Sequence, residues 1–210
     1  MPAQLSYKTL REENSAEFII NKSRFIGYGC PCETEEEALA FLARIRQKHK
    51  DATHNCYAYI IGLNSGIMRY SDDGEPGGTA GMPIIEVMKA RGVVNCAVVV
   101  TRYFGGILLG TGGLVRAYTA AASGALQSAE LVSMRLVVDC KVRVSYAQFE
   151  QAQRIIAAAE TRLDEPIFDD AVTLCWRMPA GREEMLRTAL NELTRGGAEV
   201  EISAPQYAAF

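Results

Sequence analysis

Residues 93–118 read Val93-Val-Asn-Cys-Ala-Val-Val-Val-Thr-Arg-Tyr-Phe-Gly-Gly-Ile-Leu-Leu-Gly-Thr-Gly-Gly-Leu-Val-Arg-Ala-Tyr118, and this stretch decides the fold class. In its first half, 93–103, the run Ala97-Val98-Val99-Val100 offers branched side chains to both faces, so a strand there must be covered on both sides. The glycines between 105 and 113 break that pattern. Beyond them Leu114, Tyr118, Ala121, Ala122, Ala125 and Leu126 recur at helical spacing, and the small alanines imply close packing. A strand buried on both faces that feeds a long helix calls for layers of helix and sheet in one core.

Working upstream, residues 83–90 read as a helix with Ile84, Val87 and Met88 on one side and Gly92 as its stop. Alternation over 55–62, followed by the apolar run at 67–70, suggests a hairpin across Leu63-Asn-Ser-Gly66. Thr34 with Glu37 forms a capping box for a helix whose stripe is Ala38, Phe41, Leu42 and Ile45. Before it, 18–20 and 24–29 read as strands broken at Asn21-Lys22-Ser23. Downstream of Met134 the order is strand (136–144), helix (147–159), strand, strand, helix (181–194), strand (198–203). That βαββαβ order predicts a small ferredoxin-like sandwich. The expectation is an α+β chain of two domains, 1–133 and 134–210, joined by a short linker near 130–136.

The 210 residues are 49% apolar and 22% charged, which is globular rather than disordered. Residues 1–133 hold 13 basic and 13 acidic groups and the remainder 9 and 12, so neither half offers a broad basic field and any RNA contact must be local. No apolar run approaches the ~18 residues of a membrane span. The first residues lack the pattern of a signal peptide, which predicts a cytoplasmic chain with six thiols. Cys30-Pro-Cys32 with His49, His54 and Cys56 has the wrong spacing for zinc. Cys56, Cys96, Cys140 and Cys175 sit in apolar runs, as small buried hydrophobes do.

Two segments carry the candidate chemistry. Ser71-Asp-Asp-Gly-Glu-Pro-Gly-Gly-Thr-Ala-Gly81 is dense in turn formers and has no large apolar anchor, so it predicts a functional surface loop with Asp72, Asp73, Glu75, Gly77 and Gly78 as its site residues. Its three carboxylates form a possible Mg²⁺ set. The second is the turn carrying Arg102, Tyr103, Gly105, Gly106, Thr111, Gly112, Gly113 and Arg116, where a helix start and two guanidiniums suit an anion. Glycines that serve only close helix-to-sheet contact explain that turn equally. Arg102 is expected as an anion contact rather than a core salt bridge, and Arg102 or Arg116 to pair with one of the acids. The two segments are expected to meet in one concave site. His54 joins the binding set, with a Cys56/His54 dyad as a minor possibility, and His49 is expected to be solvated at a helix end. No motif names a reaction.

Lys22-Ser-Arg-Phe-Ile, His54-Asn-Cys-Tyr-Ala-Tyr, the 71–83 loop and Val100-Thr-Arg-Tyr-Phe-Gly-Gly-Ile-Leu-Leu-Gly-Thr-Gly-Gly-Leu-Val-Arg-Ala-Tyr118 together resemble the IMPACT/YigZ family over about residues 15–128. The tail resembles the ferredoxin-like domain of its bacterial members. The resemblance implies an N-terminal domain like the second domain of ribosomal protein S-five, and a tail like the fifth domain of elongation factor G. It also implies a link to translation regulation and stress response, since eukaryotic members bind a translation-control scaffold protein in starvation signalling. The resulting expectation is a binding protein for structured RNA, the ribosome or a translation-associated protein, with no cofactor. The alternative is an enzyme that binds phosphate or a nucleotide with Mg²⁺ at Asp72, Asp73 and Glu75.

Overall fold

The computed structural model describes residues 6–63 and 66–210, and the chain divides into two compact units between Ser133 and Met134. The first is built on a five-stranded antiparallel sheet. Its strands run, in spatial order, β2 (Asn14–Ile20), β3 (Ser23–Pro31), β6 (Cys96–Tyr103), β4 (His54–Ile61) and β5 (Ile67–Ser71). The valine run lies on the central strand, as its two-sided character requires. Val98 and Val100 join Phe25, Ala58, Ile84, Met88 and Tyr118 in one core cluster, while Ala97 and Val99 join Ile26, Tyr28, Phe41 and Ile45 in another. The sheet is therefore covered on one face by α2 (Gly81–Arg91) and α3 (Gly110–Ser128) and on the other by α1 (Glu35–Lys48).

Local signals set the ends of these elements. Thr34 Oγ1 accepts from the Glu37 amide at the start of α1, and α2 stops at Gly92, whose φ of 65° is left-handed. The hairpin of β4 and β5 forms, although positions 64 and 65 of its turn lie outside the described residues. Two of the shifts from the expected boundaries have a local cause. The central strand begins at Cys96 because Val93 and Val94 pair instead with β1 (Ser6–Leu10), and Asn95, at φ 52°, turns the chain between the two pairings. That short strand β1 escaped the periodicity argument. α2 starts two residues early because Asp72 accepts the amides of Ala80 and Gly81.

In the second unit β7 (Leu131–Val144) is central and pairs with β10 (Val172–Pro179) on one side and with β11 (Val200–Ile202) and β12 (Gln206–Ala209) on the other. β8 (Arg162–Leu163) and β9 (Ile167–Phe168) complete the sheet beyond β10. With α4 (Tyr146–Ala157) and α5 (Glu183–Thr194) packed over Val138, Val142, Leu174 and Trp176, this is the ferredoxin-like βαββαβ sandwich. Its second strand is split at Pro166 and its last at Pro205, where proline supplies no ladder N–H. The segment expected to be a linker is strand instead, since β7 starts at Leu131. No helix among the described residues is long and apolar enough to cross a membrane.

Candidate functional site: a cavity between two glycine-rich loops

β5 delivers the acidic loop and β6 delivers the turn after Tyr103, so the two glycine-rich segments meet above the α2 and α3 face of the sheet. Between them lies a cavity of about 450 Å³ whose polar floor is His54, Glu75 and Arg102 and whose walls include Phe104, Leu108 and Thr111. The loop that lacked an apolar anchor is held by charge instead. Glu75, 3% exposed at its side chain, accepts Arg102 Nη1 at 2.7 Å and the Tyr118 hydroxyl at 2.7 Å. Arg102 is thus a buried ion-pair partner, 6% exposed, and not the free anion contact at a strand end that the sequence suggested. A desolvated carboxylate and guanidinium must pair, and the expected link between the acids and the arginines is this one.

The other two acids point elsewhere. Asp72 accepts the amides of Gly78, Ala80 and Gly81, at 2.8, 3.0 and 2.8 Å, so it caps α2. Burial pushes its carboxyl up, but those three amides outweigh burial and hold it below the usual carboxylate range. Asp73, in the left-handed region at φ 46°, accepts the Asn55 amide at 2.6 Å and Arg46 Nη2 at 3.1 Å. The three carboxylates diverge onto separate partners, and among the described residues no three His, Cys, Asp or Glu side chains converge where a metal ion would sit.

His54 Nδ1 lies 2.8 Å from the Asp73 carbonyl oxygen, which can only accept, so Nδ1 carries the proton. Its Nε2 is 3.9 Å from Glu75 Oε1. The Cys56/His54 dyad does not form. Cys56 Sγ donates to the Asp72 carbonyl at 2.9 Å and approaches the Tyr118 hydroxyl at 3.4 Å, and burial pushes its thiol up to about 12. Burial likewise pushes the Tyr118 phenol up. Neither group is an ionised nucleophile at neutral pH.

Of the sequence candidates, then, His54, Glu75, Arg102 and Thr111 line the cavity. Asp72 and Asp73 brace the loop, and Gly77 and Gly78 lie exposed along it. Tyr103 faces the opposite side of the sheet, because neighbouring strand residues alternate, and there its hydroxyl meets His49 Nδ1 at 2.8 Å. His49 is buried, not solvated, since Tyr28 takes its Nε2 at 2.7 Å. Gly105 is wedged against the β2–β3 turn. A Cβ there would stand 2.0 Å from the Lys22 carbonyl carbon, and its amide donates to Ser23 Oγ. Gly106, Gly112, Gly113 and Arg116 lie outside the lining, Arg116 exposed on the first turns of α3. Sequence reasoning missed Phe104 and Leu108, 48% and 87% exposed, whose signal was large apolar side chains among glycines.

These features define a two-unit α+β protein whose larger unit carries a cavity of small-ligand size between two glycine-rich loops. Residues 21–126 match the Impact N-terminal domain, and residues 142–196 match a domain of unknown function, DUF1949. The chain belongs to the IMPACT family. It is 37% identical to IMPACT family member YvyE of Bacillus subtilis over 93% of this chain and 90% of that one. It is 33% identical to IMPACT family member YigZ of Escherichia coli over 86% and 90%. A crystal structure of a hypothetical protein, 31% identical, superposes with a TM-score of 0.63 over 94% of this chain and 97% of the other.

Proposed function

We propose that this protein is a non-catalytic binding protein of the translation apparatus that contacts structured RNA through the cavity between its two glycine-rich loops. The observation that carries the reading is the make-up of that cavity: an apolar lip of Phe104 and Leu108 over a floor of His54, Glu75 and Arg102. Exposed aromatic and aliphatic side chains beside fixed polar groups suit an unstacked base. Lys22 and Arg116 are exposed beside the cavity loops and in no ion pair among the described residues, which supplies the local positive charge that the chain as a whole lacks. Glu75 is held by Arg102 and Tyr118, and Asp72 and Asp73 turn to separate partners, which favours recognition over the Mg²⁺-dependent enzyme.

Fluorescence anisotropy with a transfer RNA and with ribosomal RNA hairpins tests this. Binding is expected to weaken with salt, and Arg116→Ala is expected to flatten that log–log dependence by about one counterion. Phe104→Ala should lower affinity at every salt concentration. Absence of saturable RNA binding at low salt overturns the reading. Co-sedimentation with ribosomes that Phe104→Ala and Arg116→Ala both leave intact transfers it to a protein component.

A further inference from the structure

We infer that the second unit carries a docking surface for a basic, amphipathic protein segment, built from the rings of Tyr146, Phe149 and Phe168 and rimmed by the carboxylates of Glu165, Asp169 and Asp170. The surface belongs to the other unit from the cavity between the glycine-rich loops, and it does not depend on the RNA reading.

The first observation is aromatic surface that the fold leaves uncovered. β9 is an outer strand of its sheet, paired among the described residues with β10 alone, and its Phe168 is 56% exposed. Tyr146, which opens α4, is exposed to the same degree. Single apolar side chains on a surface need no explanation, but these rings form one contiguous group. Phe168 stacks on Tyr146 with centroids 6.3 Å apart and meets Phe149 edge to face at 5.4 Å. Phe149 in turn packs against the core of the unit, and the Tyr146 hydroxyl donates to the Asp169 carbonyl at 2.7 Å. Rings held in place before contact lose little freedom on binding, which makes them suitable anchors for an interface.

The second observation is the charge around the rings, and it selects the occupant. Residues 164–170, Asp-Glu-Pro-Ile-Phe-Asp-Asp, hold four carboxylates and no base. All four acids are exposed, and among the described residues Arg143 is the one cation that forms an ion pair with any of them. Such a rim repels a phosphate backbone, so the rings are not a stacking platform for nucleic acid. A second copy of the chain would bring the same acids face to face across a two-fold axis. A segment whose apolar side chains cover the rings and whose arginines meet the rim satisfies both features, and its guanidiniums can also lie over the ring faces.

The form of the segment follows from the edge it meets. β9 is two residues long, and Pro166 before it has no N–H to give, so this edge offers little to an added strand. The contact is therefore made through side chains. An amphipathic helix, with an apolar stripe between basic residues, presents both kinds of group at once.

The test titrates the intact chain with a synthetic helical peptide of about 18 residues, or five turns, with leucine along one stripe and arginine elsewhere. In heteronuclear NMR the amides of residues 146–150 and 165–170 are expected to shift as the peptide saturates one site. Peptides with serine for leucine, or with glutamate for arginine, should bind about tenfold more weakly or worse. Glu165→Lys combined with Asp170→Lys reverses two exposed rim charges. That double variant is expected to keep its unfolding midpoint, because exposed pairs contribute little, and to lose binding by about tenfold or more. Phe168→Ala removes the middle ring and should weaken binding on the same scale, while RNA binding is unchanged in both variants. The inference is overturned if the peptide shifts none of these amides, if the serine peptide binds as well as the leucine one, or if the double variant binds as wild type does. RNA binding that Phe168→Ala abolishes would assign the rings to nucleic acid instead. A dimer in sedimentation velocity that Phe168→Ala dissociates would assign them to a second copy, and either result overturns the inference.

Discussion

Glu75 is the residue on which the site turns, because one carboxylate oxygen serves the guanidinium of Arg102, the phenol of Tyr118 and, at longer range, the imidazole of His54. A pair this deep is not a source of stability for its own sake, since removing two charges from water costs about what their attraction returns. Breaking it on one side is another matter. Glu75→Gln leaves Arg102 charged and dry, and is expected to destabilise the first unit by about 3–5 kcal/mol in urea unfolding followed by far-UV circular dichroism. The double variant Glu75→Leu with Arg102→Met replaces both charges with apolar groups of similar size. It is expected to recover most of that loss. A double variant as unstable as the sum of its parts would show that the pair itself holds the loop.

At the scale of elements, α1 ends in a titratable cap. His49 is the C-cap of that helix, its amide donating to the Ile45 carbonyl and its ring held between Tyr28 and Tyr103. Burial first, then the charges of Lys48 and Arg24, hold its imidazole below the ordinary 6.5. A depressed imidazole means that the unfolded chain takes up the proton before the folded one does. Stability therefore falls as pH drops through about 6.5 and levels off below the folded value. The unfolding midpoint of the first unit is expected to decline between about pH 7.5 and 5.5, with a steeper slope than in His49→Gln. Equal slopes would remove His49 as the cause. Most elements were legible in the sequence, because Val98–Val100, the α3 alanines and Gly92 each have one comfortable environment. His49 was misread because the α1 stripe counts only apolar positions and a histidine satisfied by two tyrosines from other strands leaves no local trace. That one acid of the loop pairs with an arginine was legible, but not which acid takes which partner. Composition cannot say that Asp72 turns to cap α2 and Glu75 turns to Arg102, since those partners are set by the meeting of distant segments. The recurrence of glycines did mark both loops, and their meeting followed from two strands of one sheet ending at the same edge of the core.

At the scale of the whole molecule, each unit has apolar clusters of its own among the described residues. Two clusters draw only on residues of the first unit, on the two faces of its sheet, and the third draws only on residues of the second. Cooperativity in unfolding follows shared burial, so each unit has the means to melt as one step of its own. The sequence contains a single tryptophan, Trp176, and it is 1% exposed inside the second unit's cluster. Its fluorescence therefore follows that unit alone, while far-UV circular dichroism follows both. The second unit spans only residues 134–210, and domains of that size are marginal without disulfides, whereas the first has two packed faces. In a urea titration the tryptophan signal is expected to move first and the circular dichroism to show a second step beyond it. Glu75→Gln should shift only that second step. Superimposable transitions by both probes, moved together by Glu75→Gln, would mean that the two cores unfold as one.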